Sequence, residues 1–109
     1  MDVIKAHLMQ DYHQPVLFNE AMHWLNPSPG GIYIDATTGG GGHSQAILEL
    51  SGPDGIVYGI DRDIEALEYA SRRLSQFKDR FRPVKGNFED IDKLLMETQG
   101  RVNGVLMDL

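Results

Sequence analysis

The sequence has 109 residues, 41% of them apolar and 24% charged, which suffices for one globular core. It contains no cysteine, which excludes disulfides, thiolate zinc sites and cysteine nucleophiles and agrees with a reducing, cytoplasmic setting. A net charge of −6 argues against a free-standing nucleic-acid binder, because phosphate contact needs clustered Lys and Arg.

The opening MDVIKAHLMQDYHQ has neither the basic start nor the apolar run of a signal peptide, and no later stretch approaches a membrane span, so no membrane partner is expected. PVLFNEAMHWL reads as a first helix, with Leu17, Ala21, Trp24 and Leu25 at helical spacing, stopped by NPSPGG. These first 28 or so residues form a segment ahead of the sheet. GIYIDA follows as a strand, SQAILEL as a helix closed by SGPDG, and IVYGID as the second strand. Asp63 is placed to cap the next helix, whose Ile64, Leu67, Ala70, Leu74 and Phe77 form one apolar stripe. FRPVKG makes a third strand. EDIDKLLMETQ makes a helix with Ile91, Leu94 and Leu95 inward, and VNGVLMDL begins a fourth strand. The doublet Arg72 and Arg73 and the stretch from Lys78 to Lys85 read as solvated surface. Alternating strands and helices imply an α/β fold with a parallel sheet of about four strands, half of a doubly wound, Rossmann-like sheet. Since the sequence stops at Leu109, in or just after the fourth strand, it is expected to be the first half of a larger fold.

DATTGGGGHS, at residues 35–44, puts four glycines between the first strand and the following helix. Ligands of doubly wound folds bind outside the carboxyl ends of the strands, where glycines let a nucleotide cofactor approach the backbone. Gly39 and Gly41 match the first two glycines of G-x-G-x-x-G, while Ser44 stands at the last position. Asp61 closes the second strand about twenty residues on, where a carboxylate accepts both ribose hydroxyls. Asp35, an acid ahead of the glycines, favours S-adenosylmethionine over a dinucleotide, because it opposes the cofactor's ammonium and sulfonium charges and would repel a pyrophosphate. Thr37 stands where methyltransferases commonly carry the first glycine of D-x-G-x-G-x-G.

Histidines occur at positions 7, 13, 23 and 43 without metal-site spacing, and no metal is expected. His43 at the helix start is placed to touch the cofactor or to serve as a cap or surface residue, and His13 is a second candidate to reach the site. In GNF, residues 86–88, Asn87 can supply a polar contact and Phe88 either stacks on the adenine or packs in the core. Asp108, at the end of the fourth strand, is the carboxylate expected beside a transferred methyl.

HQPVLFNEAM, GGIYIDATTGGGGHS, GIDRDIEAL and VNGVLMDL together resemble the bacterial small-subunit ribosomal RNA cytosine-N4 methyltransferase family, from about His13 to the last residue. The resemblance implies a class I methyltransferase sheet, with S-adenosylmethionine held at the positions of Gly41, Gly42, His43, Asp61, Phe88 and Asp108. It also implies methyl transfer to a cytosine exocyclic amine, with Asp108 as proton acceptor or orienter. The family continues with a DLGVSS-like stretch, a helical insertion and the rest of the sheet. Ribosomal RNA recognition is therefore expected to lie mostly outside these residues, with cofactor binding but little or no turnover by this sequence alone. Two rivals stay open: an oxidoreductase fragment binding a dinucleotide, and a non-catalytic half-fold that self-associates. With the fourth strand beside the first, GVLMDL would be an apolar sheet edge able to pair in a homo-oligomer.

Overall fold

The computed structural model describes residues 15–37, 40–87 and 89–107. The elements run α1 (Pro15–Leu25), β1 (Ile32–Ala36), α2 (Gly42–Leu50), β2 (Ile56–Asp61), α3 (Ile64–Arg73), a 3₁₀ helix (Ser75–Arg80), β3 (Phe81–Lys85), α4 (Glu89–Glu97) and β4 (Gly104–Met107). Pro15 occupies the first position of α1, where a missing N–H costs nothing, and Asn26 ends that helix in the left-handed region at φ 49°. Asp63 caps α3 as its position predicts, its Oδ1 accepting from Glu65 N at 2.9 Å. Arg72 and Arg73 fill the last turn of α3, where positive charge opposes the helix dipole's negative end.

The four described strands are parallel and ordered β3-β2-β1-β4. The chain adds β2 and β3 on one side of β1 and then crosses back to place β4 on the other, as expected. The β1/β4 junction is thus a topological switch point. Alternate strand residues face opposite layers. Tyr33, Val57, Phe81 and Leu106 pack with Ala21, Met22 and Leu25 of α1, Ile47 and Leu48 of α2, Ala70 of α3 and Leu74 at the end of α3. Ile34, Ala36, Ile60 and Val105 pack on the other side with Leu94 of α4 and with Val102, where Ile91 and Leu95 are partly buried as their spacing predicts.

Three expectations are corrected. Trp24 is 56% exposed, because α1 buries Ala21, Met22 and Leu25, and Met22 and Trp24 lie about 200° apart around a helix axis. Leu17's side chain lies outside the described residues. Ile64 is 49% exposed, so the buried stripe of α3 begins at Leu67, and the helix ends before Phe77, which sits half-buried in the 3₁₀ helix. Arg80, inside the stretch read as solvated, is half-buried and structural. It donates to Gly55 O at 2.8 Å and to Leu48 O at 2.6 Å while its guanidinium lies over the Phe77 ring, tying the α2–β2 connection to the entry of β3. Pro83, Arg82 and Lys85 are exposed along β3, at one edge of the sheet, and β4 forms the other edge.

Gly59 lies within β2 under the Phe81 ring: a Cβ there would stand 2.7 Å from Phe81 Cε1 and 2.9 Å from Cζ. Gly59→Ala should therefore destabilise the fold by about 1–3 kcal/mol through overpacking, and adding Phe81→Leu should recover part of the loss. Urea midpoints of the two single variants and the double variant measure this. Additive losses would show that the two residues do not compete for the same space.

Candidate functional site

Strand alternation turns Asp35 toward α2, and only 4% of it remains exposed. Its Oδ1 accepts from Thr37 N at 2.9 Å and from Thr37 Oγ1 at 2.5 Å, and its Oδ2 accepts from Ser44 Oγ at 2.6 Å. Ser44 is itself buried. Hydrogen bonds to an ionised acceptor are short and strong, and here they replace the water that burial removes. The carboxylate thus ties the end of β1 to the first turn of α2. Asp35, expected to oppose a cofactor's positive charges, is also the anchor of the glycine turn.

The turn enters α2 through Gly41, whose φ of 91° is left-handed and whose added Cβ would press to 3.3 Å from both Ala70 Cβ and Leu74 Cδ1. Gly41 has no side chain to cap α2, which leaves the backbone donors of that helix start to other partners. His43 is the second residue of α2, half-buried, with Nδ1 3.5 Å from Thr37 Oγ1. On the neighbouring strand, Asp61 ends β2 half-buried, and its Oδ1 accepts from Asp63 N at 2.9 Å, which sets the plane of the carboxylate.

These residues share one cleft. Asp35, Thr37, Gly41, Gly42, His43, Ser44 and Asp61 line it, with Gly59, Leu67 and Ala70 beneath. Its enclosed space of about 30 Å³ suits a water, not a nucleoside, so a nucleoside ligand must lie along the open rim at the strand ends. The sequence brought forward Gly41, Gly42, His43 and Asp61 as site residues, and all four border this cleft. Phe88, Asp108, Gly39 and His13 lie outside the described residues. Sequence reasoning missed Ser44, whose role needs the α2–β1 contact, and Gly59, although a glycine inside a strand does signal close approach of another group. Among the described residues no group of His, Asp or Glu could hold a metal ion, and no helix is long and apolar enough to cross a membrane.

The MraW methylase family matches residues 10–109, nearly the whole sequence. The chain belongs to that family. It is 48% identical over 98 residues to the ribosomal RNA small subunit methyltransferase H of Geobacter sulfurreducens, covering 89% of this chain and 32% of that protein. It is 50% identical over 103 residues to the protein of the same name from Trichlorobacter lovleyi, covering 93% of this chain and 33% of that one. The chain therefore spans about a third of the length of the curated relatives it matches. Among solved structures, an rRNA methylase from Streptococcus thermophilus aligns with a TM-score of 0.59 at 24% identity, over 75% of this chain and 48% of that one. A methyltransferase homolog from Pyrococcus horikoshii aligns with a TM-score of 0.58 at 26% identity, over 65% of this chain and 24% of that one. These likenesses establish the Rossmann-like fold. The family match spans every residue that borders the cleft.

Removing the Ser44 hydroxyl would leave one oxygen of a buried carboxylate without its donor. Ser44→Ala should cost about 1–3 kcal/mol of stability, a larger loss than a buried hydroxyl-to-hydrogen change gives when both partners remain satisfied. Equilibrium denaturation followed by circular dichroism tests this, and an unchanged midpoint would show that Asp35 is not held in this way.

Proposed function

We propose that these residues form the S-adenosylmethionine-binding part of an enzyme that methylates the exocyclic N4 amine of a cytosine in small-subunit ribosomal RNA. The observation that carries the reading is the convergence, on one cleft, of a left-handed glycine helix start and a carboxylate at the end of the adjacent strand. The residues suit the cofactor. Asp61 offers a half-buried carboxylate for the ribose hydroxyls, and Gly42 leaves backbone accessible at the rim, since an added Cβ would meet only the Arg73 guanidinium at 3.9 Å. The buried charge of Asp35 beneath the turn favours a cationic over a pyrophosphate ligand, although it acts without direct contact.

In this reading Gly41, Gly42 and His43 hold the methionine portion, and Asp61 holds the ribose. Phe88, which directly precedes α4, faces the adenine, and Asp108, which directly follows β4, borders the reacting group. Bound S-adenosylmethionine supplies an electrophilic methyl group on its sulfonium. A cytosine amine is a weak nucleophile, because its lone pair is delocalised into the ring. The protein's contribution is to align that amine and to accept or orient its departing proton, the role assigned to Asp108. The names of the relatives support ribosomal RNA as the substrate, and the negative net charge agrees with most of the RNA-holding surface lying elsewhere.

Titration calorimetry with S-adenosylhomocysteine should show binding, and NAD should show none. Asp61→Ala should weaken the binding by about 1.5–3 kcal/mol, as expected when hydrogen bonds to a charged acceptor are lost. Tight NAD binding would favour the oxidoreductase alternative, and equal affinity in the variant would remove Asp61 from the site.

A further inference from the structure

The glycine turn has no side chains with which to hold itself, and glycine loses more conformational freedom on ordering than any other residue. Its anchor to β1 runs through Asp35. A second hold comes from the opposite direction, through two residues four positions apart on one face of α3. A methyl on Gly40 would stand 2.7 Å from Tyr69 Cε1, so the Tyr69 ring rests against the Gly40 backbone. Arg73 Nη1 donates to Gly40 O at 3.3 Å, and Arg73 Nε donates to Gln45 Oε1 at 2.9 Å. The guanidinium therefore bridges the residue just before the left-handed Gly41 and a side chain in the first turn of α2.

We infer that Arg73, supported by Tyr69, is a positioning residue for the cofactor turn: it fixes the Gly40 carbonyl and the start of α2 so that the backbone of Gly41–His43 is ordered before ligand arrives. Arginine suits the task because its planar fork addresses two acceptors at once, which a lysine ammonium on a flexible stem does less well. Arg72 makes the contrast. One residue earlier, it lines a different groove, with Ile64, Glu68, Pro83 and Lys85 on the β3 side of α3. The doublet read from sequence as a single solvated patch is thus divided between two surfaces. The consequence for ligand affinity rests on the S-adenosylmethionine reading given above, whereas the ordering of the turn rests on geometry alone.

The test compares the unmodified chain with Arg73→Met, Arg73→Lys, Gln45→Met and Arg72→Met. Amide hydrogen exchange of the peptide covering residues 40–45 is measured without ligand, and S-adenosylhomocysteine affinity is measured by calorimetry. Arg73→Met should speed exchange in that peptide about three- to tenfold and weaken binding by a similar factor, as loss of a hydrogen-bonded hold predicts. Gln45→Met should move both readouts in the same direction, Arg73→Lys should fall between, and Arg72→Met should match the unmodified chain. Unchanged exchange in both Arg73→Met and Gln45→Met overturns the inference, as does an equal effect of Arg72→Met. Faster exchange with unchanged affinity likewise overturns the positioning role. Should the unmodified chain bind no S-adenosylhomocysteine, the proposed function fails, and the exchange comparison still decides whether Arg73 holds the turn.

Discussion

The cleft is organised around a carboxylate withdrawn from water. Asp35 is buried at the end of β1, and its two oxygens are satisfied from positions 37 and 44, on either side of the glycines. That requirement closes the intervening chain into a loop of fixed span. Ser44 must face the sheet, where it sits beside Gly59, the residue whose missing side chain admits the Phe81 ring. Gly41 must then turn the chain into α2 through the left-handed region, in a space already bounded by Ala70 and Leu74. A buried carboxylate left without these donors would cost several kcal/mol, so the loop geometry depends on keeping both of its oxygens bonded.

The same turn is braced from two elements. β1 holds it from below through Asp35, and α3 holds it from the side through Tyr69 and Arg73. α3 is in turn set by Asp63, whose backbone N–H bonds to Asp61, the carboxylate on the other side of the cleft. Both walls therefore refer to a single helix. A preorganised wall matters because ordering a glycine-rich segment at the moment of binding would be subtracted from affinity.

Much of this was legible in the sequence because the signals were local. The strand–glycine–helix order and the carboxylate about twenty residues later located the cleft, and Asp63 announced its cap by position alone. The strand order followed from the general behaviour of doubly wound folds. What stayed hidden depends on side chains meeting across elements. Arg73 and Arg80 look like any surface arginines in a charged stretch, yet one reaches Gly40 and the other Leu48 and Gly55. The position of Asp35 is legible in the sequence, but its partners Ser44 and Thr37, and hence its role as the anchor of the turn, are not. Trp24 was misplaced because helical spacing defines a stripe only to within one residue of rotation, and Met22 takes the inner side.

The two edges of the sheet differ in chemistry. β3 presents Pro83, which lacks an N–H, beside the exposed cations Arg82 and Lys85, and such an edge discourages a further strand. β4 is Gly-Val-Leu-Met, uncharged and free of proline, with Val105 and Leu106 buried. The sheet consequently has a direction of growth. Of the two, the β4 edge is the one whose chemistry would accept a further strand, and in such an arrangement the β1/β4 switch point would lie nearer the middle of the sheet, with β3 still at its rim.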